Sequence, residues 1–408
     1  MIMKFLKPLV PPLILITVIL VYFFPAVTGA QSILLGDFTG SDLLDLHYPF
    51  RYFLNEAYRN GSFPLWTQDL DMGYPLLAEG QSGPLFPLHI LLLSLSPLQA
   101  LNLSIVITLI IAGIGTYVFC HRLQISETAS LLAGISFALS GVFIARLKHV
   151  NYIEVNSLLP WAFLCAEMFT RTSRPRWILL LFLVYSLAIL AGSPNMTFIV
   201  VLSSFAYLVI RLTKTADRSK TKVANFFLFL PIGIAVTFLL TAAQILPAWE
   251  LAPQTVRTKF SLSGSTGFPF TPDQLLNFIL PYRLGNPADG SYRQNINEKG
   301  VWWENAVYLG LIPLLLALYA IWKNIRRRDI YGREISFTIA ALSLFFIIIS
   351  LGNYGFLFKP LWESFPPLQF FRFPSRFLLV TVFGLAVLGA KGLDLILPPR
   401  KYDRRPGI

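Results

Sequence analysis

Long apolar segments alternate with short polar ones along almost the whole chain. Several of the apolar segments approach the roughly 20 residues with which an α-helix crosses a bilayer. This pattern predicts an all-α polytopic membrane protein with about ten transmembrane helices, at residues 8–28, 98–120, 128–146, 152–170, 176–192, 195–212, 225–247, 304–322, 335–351 and 376–396. Residues 84–97 are also apolar, but this segment is short and contains Pro84, Pro87 and Pro97. We therefore interpret it as a re-entrant or interfacial piece.

The polar segments between the predicted helices differ in length and charge. Residues 29–97 and 248–303 are long and 352–375 moderate in length, whereas most basic residues lie in the other, shorter segments. Because basic loops stay in the cytoplasm, the three longer segments are predicted to be extracytoplasmic and both termini cytoplasmic. The chain is thus predicted to form a single transmembrane domain, 1–408, in a plasma membrane.

The composition supports this interpretation and excludes others. Hydrophobic residues make up 55% of the chain and charged residues 13%, against about 25% charged in soluble domains. The net charge of +12 would suggest nucleic acid in a soluble protein, but here the positive cytoplasmic loops account for it. The two cysteines, Cys120 and Cys165, lie in predicted helices, so no disulfide scaffold is expected. The sequence also lacks a nucleotide-binding signature, so an extracytoplasmic enzyme would need an activated donor that is carried in the lipid.

The segment 36–87 is the least hydrophobic long run in the first half and is rich in acidic residues. Ser41 can cap a helix that begins at Asp42, Gly61 can end it, and Pro49 is expected to kink it. The helix is predicted to rest on the membrane surface with a polar face of Asp42, Asp45, Tyr52 and Glu56 and an apolar face of Leu43, Leu46, Phe50, Phe53 and Ala57.

Asp42 and Asp45 would lie one turn apart on that polar face. Two carboxylates in this arrangement can bind a divalent cation together with substrate phosphates, or one of them can act as a general base. The alternative is that the first turn of a helix favours acidic residues because of the helix dipole.

The runs SDLLDLHYPFRYFL and GSFPLWTQDLDMGYPLLAEGQSGPLFPLHIL resemble the YfhO-type bacterial membrane proteins and related GT-C glycosyltransferases. Matching motifs continue along nearly the whole chain: KHVNYIEVNSLLPWAFLCAE, AGSPNM, AAQILPAWELAPQTVR, ENAVYLGLIPLLLAL and FRFPSRFLLV. Members of this family are usually longer, so the resemblance implies a short form or a fragment.

The resemblance implies a GT-C-like bundle and an inverting glycosyltransferase. Such an enzyme moves a sugar from a polyprenyl-phosphate donor to a cell-envelope acceptor at the outer membrane surface. GT-C enzymes differ in whether they need a divalent cation such as Mg²⁺ or Mn²⁺. They place an essential aspartate in the first outer loop, where Asp42 fits best and Asp45 and Asp37 are second choices. The alternatives are a transporter or flippase for lipid-linked glycans, and a non-catalytic assembly partner.

Further polar residues are candidates for binding the substrate. Cations at the predicted outer end of the third helix can bind a donor phosphate, or can extend to lipid headgroups. Gln244 lies in an apolar helix, where it can line a sugar site or bind a neighbouring helix. Glu304 can serve substrate or compensate a helix dipole. The full set is Asp37, Arg51, Gln81, Arg146, Lys148, His149, Gln244, Arg257, Glu304, Arg372 and Arg376.

Overall fold

The computed structural model describes residues 9–33, 40–214, 220–255, 260–287, 289–292, 301–325 and 330–398. Within these residues the fold is helical, and Thr67 and Tyr74 form an isolated β-bridge. The all-α prediction is therefore confirmed. The longer helices, numbered here in chain order, are α1 (Val10–Tyr22), α2 (Tyr48–Arg59), α3 (Pro97–Arg122), α4 (Glu127–Ala138), α5 (Val150–Thr172), α6 (Arg176–Leu190), α7 (Pro194–Lys214), α8 (Lys220–Leu251), α9 (Leu311–Ile325), α10 (Ile330–Ser350) and α11 (Leu378–Ile396).

Six helical segments of the described chain are long and apolar enough to cross a membrane. They contain α3, α4, α7, α8, α10 and α11, while α1, α6 and α9 are apolar but shorter. This supports a polytopic membrane protein; the count of ten spans stays a prediction. Residues Pro87–Leu91, inside the predicted re-entrant segment, form a helix of 5 residues, which is too short to span a bilayer.

Helices α3, α5 and α11 form the centre of the bundle. Phe383 of α11 packs on Phe119 of α3 and Phe163 of α5, with ring centroids 5.5 and 5.1 Å apart. The span of α11 is 72% buried inside the protein, whereas that of α8 is only 17% buried. Helix α8 therefore lies at the edge, where its apolar side chains face outward and suit a lipid environment.

A buried ionic network joins the helices at the end of α5 that is predicted to be cytoplasmic. The carboxylate of Glu167 on α5 contacts Arg211 Nε of α7 at 3.0 Å and Arg171 Nε at 2.8 Å. Arg211 also contacts Glu334 of α10 at 2.7 Å, and Tyr207 donates to Glu167 at 2.8 Å. Because each buried charge has an opposite partner, the network holds α5, α7 and α10 together without an uncompensated ion.

The helix predicted from Ser41 to Gly61 is present, with a π-helical first turn at Leu43–His47. We call the helical segment Leu43–Arg59 the first outer helix, after the side of the membrane predicted for it. Helix α2 follows directly, so Pro49 lies in its first turn, where the backbone changes from π to α. Gly61 has a left-handed φ of +68° just after the helix ends. The predicted polar face is exposed.

The prediction for the apolar face of this helix was only partly correct. Leu43 and Phe50 are buried, but Leu46, Phe53 and Ala57 are only partly buried. The buried face also contains a polar row at four-residue spacing: His47, Arg51 and Asn55. Amphipathic periodicity assigns polar residues to the solvent side, and it failed here because α2 packs on a polar part of the bundle.

Gly192, in the turn between α6 and α7, supports the loop that follows the first outer helix. Its φ is +85°, and a Cβ at this position would collide with the carbonyl oxygen of Gly80 and lie 3.0 Å from Gln81 Cα. Asn151 of α5 donates to the Gly192 carbonyl at 3.1 Å. The backbone of the loop thus lies directly on the turn.

Replacing Gly192 by alanine is expected to destabilise the protein more than Gly61→Ala, which serves as a matched control. Both substitutions introduce a Cβ at a positive φ, at about 1–2 kcal/mol, but the Cβ at Gly61 meets nothing within 4 Å. The overpacking at Gly192 adds about 1–3 kcal/mol. Unfolding midpoints in detergent measure the difference, and equal midpoints would contradict the close contact.

Candidate functional site

Asp42 lies at the start of the first outer helix, and its side chain is 53% exposed. Its Oδ2 is 3.2 Å from Nε2 of His149, the residue before α5. This hydrogen bond lowers the pKa of Asp42 below its ordinary value, while partial burial opposes the change and the nearby charge of Lys148 supports it. Asp42 therefore presents an ionised carboxylate to solvent at neutral pH.

The imidazole of His149 is held between aromatic rings. It stacks on Tyr152 at 5.4 Å and contacts Trp303 at 5.6 Å between centroids, and Lys148 Nζ lies 3.6 Å from the centre of the Trp303 ring. Burial lowers the pKa of His149, and the hydrogen bond with Asp42 partly opposes this. The buried Nδ1 finds no partner among the described residues. We infer that neutral His149 carries its proton on Nε2 and donates it to Asp42.

Beside this pair, two arginines bind one buried glutamate. Glu304 is 3% exposed, and its carboxylate contacts Arg146 Nη2 at 2.5 Å and Arg376 Nη2 at 2.9 Å. Burial alone would raise the pKa of Glu304, but the two guanidinium charges outweigh it and lower the pKa to about 2. The ring of Tyr152 lies 4.8 Å from the Arg376 guanidinium and 5.7 Å from that of Arg146.

The structure thus brings together Asp42, Lys148, His149, Arg146, Glu304 and Arg376 around Tyr152 and Trp303. They come from the first outer helix, the turn just before α5, the short helix Trp302–Asn305 and the 3₁₀ helix Pro374–Phe377 just before α11. Arg146 and Arg376 carry two positive charges against one on Glu304, and Lys148 adds a third. The cluster therefore has an excess of positive charge beside the Asp42 carboxylate.

The other predicted site residues have different surroundings. Asp45 Oδ2 accepts the backbone N–H of Ser41 at 3.0 Å, as expected for an acidic residue in a first helical turn. Gln81 donates to the Glu79 carboxylate. Gln244 is buried and donates to the Ile189 carbonyl at 3.2 Å, which joins α8 to α6.

Four further candidates remain. The guanidinium of Arg372 lies 5.2 Å from the centre of the Phe260 ring and 5.1 Å from that of Phe373. Arg51 lies on the buried face of the first outer helix. Asp37 and Arg257 lie outside the described residues, so their predicted roles stay predictions.

A divalent cation would find few protein ligands at this site. Among the described residues there is no group of three or more His, Cys, Asp or Glu side chains that could hold a metal ion. Asp45 is directed to Ser41, which leaves Asp42 as the exposed carboxylate of the cluster. Mg²⁺ bound here would thus take most of its ligands from phosphate and water, as it commonly does at phosphate sites.

Sequence reasoning missed a buried pair next to the site. His89 Nε2 lies 2.8 Å from Glu154 Oε1, and Ser104 donates to the same oxygen at 2.6 Å. The signal was present, because an ionisable residue within an apolar segment is costly and therefore informative. Glu154 interrupts the apolar run of α5, and His89 lies in the apolar run PLHILLL.

An all-helical fold with several apolar spans and a charged cluster at one end of the bundle defines a polytopic α-helical membrane protein. A family model described as "Bacterial membrane protein YfhO" matches residues 9–403. The chain therefore belongs to the YfhO family of bacterial membrane proteins. A comparison with curated proteins gave no match.

Proposed function

We propose that this protein is a membrane glycosyltransferase that moves a sugar from a polyprenyl-phosphate donor to a cell-envelope acceptor at the outer face of the membrane. The observation that carries the proposal is the ionised, half-exposed carboxylate of Asp42 beside a cluster with excess positive charge. Family membership adds support, because YfhO proteins resemble GT-C glycosyltransferases. The membrane fold suits a donor and products that remain in or near the lipid.

The geometry suits a single displacement at the anomeric carbon. Asp42 accepts the proton of the acceptor hydroxyl, whose oxygen forms the new bond to the sugar as the bond to the donor phosphate breaks. His149 holds the carboxylate in place through its hydrogen bond. The departing phosphate gains negative charge, which the excess positive charge of Arg146, Arg376 and Lys148 stabilises. One displacement of this kind inverts the anomeric configuration.

Mass spectrometry of cell-envelope glycans tests the proposal. We expect a strain without this gene to lack one sugar substituent, and a plasmid copy of the wild-type gene to restore it. Feeding labelled sugar should place the label in that substituent only when the protein is present. Identical glycans in both strains, under conditions in which the protein is expressed, would contradict a transferase function.

The pH dependence of transfer should identify the role of His149. Burial keeps the pKa of His149 below its ordinary 6.5, so the imidazole is neutral at pH 7 and above. We expect a constant initial rate there and a fall at lower pH, because protonated His149 weakens Asp42 as a base. His149→Gln keeps a donor but cannot titrate, so its rate should fall only near the pKa of Asp42. An identical acid limb in both proteins would contradict this role.

The transporter alternative predicts charged groups that face each other in the middle of the membrane. Glu167 follows His149 by 18 residues and therefore lies about 27 Å further along the helix. It is bound to Arg211, Arg171 and Tyr207. Such a closed network suits a structural role, so the cluster around Asp42 favours the enzyme.

A further inference from the structure

A small polar cavity lies beneath the first outer helix, on the bundle side of the Asp42 site. Its lining includes His47 and Arg51 from the first outer helix, His89 from the following loop, and Asn151 and Glu154 from α5. The cavity has room for about one water molecule. Glu154 follows His149 by five residues, so the cavity lies about 7.5 Å further along α5.

The charges around the cavity balance. His89 Nδ1 is 2.8 Å from the Gly83 carbonyl and Nε2 is 2.8 Å from Glu154 Oε1, so both ring nitrogens face an acceptor. With His89 neutral and Glu154 ionised, the negative charge of Glu154 balances the positive charge of Arg51, so the cavity has no net charge to attract an ion.

Arg51 and Glu154, which both line the cavity, have polar atoms without a hydrogen-bond partner among the described residues. Nε and Nη1 of Arg51 are buried and have no hydrogen-bond acceptor among the described residues, and Oε2 of Glu154 is buried without a donor. Leaving such buried groups unsatisfied is unfavourable, because they lose their hydrogen bonds to water without gaining a partner in the protein. A group that accepts from Arg51 and donates to Glu154 would satisfy both. A water or an alcohol hydroxyl has both capacities, whereas an anion could not donate to Glu154.

We propose that this cavity is a binding site for one neutral O–H group, which accepts from Arg51 and donates to Glu154. The group comes either from a water molecule or from a hydroxyl of the sugar substrate; the second source rests on the proposed function. In both cases Arg51 is a positioning residue, because it lies on the same helix as Asp42 and the bound group links that helix to α5.

The site also explains the polar row on the buried face of α2. His47 lines the cavity, and Asn55, one turn beyond Arg51, donates to the Leu95 carbonyl at 3.2 Å. These contacts would orient the first outer helix more specifically than an apolar face, because each hydrogen bond needs a defined geometry. The helix that carries Asp42 would then have one register on the bundle.

A high-resolution cryo-EM map of the full chain in lipid nanodiscs tests this proposal without any substrate. We expect a density peak within about 2.7–3.2 Å of both an Arg51 nitrogen and Glu154 Oε2. The peak should be lost in Arg51→Met and kept in Glu56→Gln, a control on the exposed face of the same helix. Absence of the peak in the wild type, or a peak near Arg51 but out of reach of Glu154 as for an anion, would overturn the proposal.

A second map, with polyprenyl-phosphate glucose present, distinguishes the two sources. A separate peak that remains beside bound donor identifies water, whereas a peak that becomes continuous with the sugar identifies a substrate hydroxyl. If no donor binds, the proposed function loses support, but the substrate-free map still decides whether the O–H site exists.

Discussion

Replacing Glu304 by glutamine is expected to destabilise the protein by about 3–5 kcal/mol, the usual effect of removing one partner of a buried ion pair. Glu304 binds both Arg146 and Arg376, and its side chain is almost inaccessible to solvent. The amide keeps the shape but leaves two buried guanidinium groups without a counter-charge. The unfolding midpoint in detergent, followed by tryptophan fluorescence, measures the loss.

Glu363→Gln is the matched control for this substitution. Glu363 also faces a cation, but its contact with Lys359 is 3.9 Å long and both side chains are more than half exposed. Exposed pairs of this kind contribute about 0–1 kcal/mol, so the control should unfold nearly as the wild type does. An equal loss of stability in the two variants would contradict the larger contribution assigned to the buried ion pairs of Glu304.

The same ion cluster predicts a defined acid sensitivity. The pKa of Glu304 is about 2 in the folded protein, against an ordinary value of 4.5. A carboxyl whose folded pKa is depressed stabilises the protein fully above its unfolded pKa and loses this contribution as the pH falls. Wild-type stability should therefore decline between about pH 4.5 and pH 2. Glu304→Gln should lack this part of the decline, and identical acid profiles would contradict the assigned pKa.

Much of the helical fold was predictable because membrane spans depend on one property, the length of an apolar run. The predicted helix 98–120 is observed as Pro97–Arg122, and 176–192 as Arg176–Leu190. The prediction 304–322 was wrong at its start, because α9 begins only at Leu311. Glu304 instead belongs to a separate short helix, whose carboxylate is bound by arginines from other parts of the chain.

The site was predictable in its members but not in its pairings. The charged residues at predicted outer helix ends were identifiable from topology alone. Their contacts were not, since Arg146 and Glu304 are 158 residues apart in the chain and Arg376 and Glu304 are 72 apart. Hydropathy carries no information on such long-range contacts. The burial of His47 and Arg51 was not predicted for a related reason. A polar residue is buried only when the surface that it packs on is polar too.

Replacing Asp42 by asparagine is expected to reduce sugar transfer by about 10²–10⁴-fold, the usual contribution of a general base. Asparagine preserves size and can still bind His149, but it cannot accept the proton of the acceptor hydroxyl. Because the Asp42 side chain is half exposed, the protein should fold and insert normally. Transfer of labelled sugar from a polyprenyl-phosphate donor in reconstituted membranes measures the rate, and fluorescence-detected size exclusion checks the fold.

Two other carboxylates of the same helix provide control substitutions for this experiment. Glu56→Gln changes an exposed acid on the same helix and should leave transfer unchanged. Asp45→Asn keeps an oxygen that can accept from the Ser41 N–H, so the protein should fold normally, with far less effect on the rate than Asp42→Asn has. If Asp45→Asn abolished transfer and Asp42→Asn did not, the base would be Asp45. If none of the three substitutions reduced transfer, proton abstraction by the first outer helix would be excluded, because Asp42, Asp45 and Glu56 are the carboxylates of that helix.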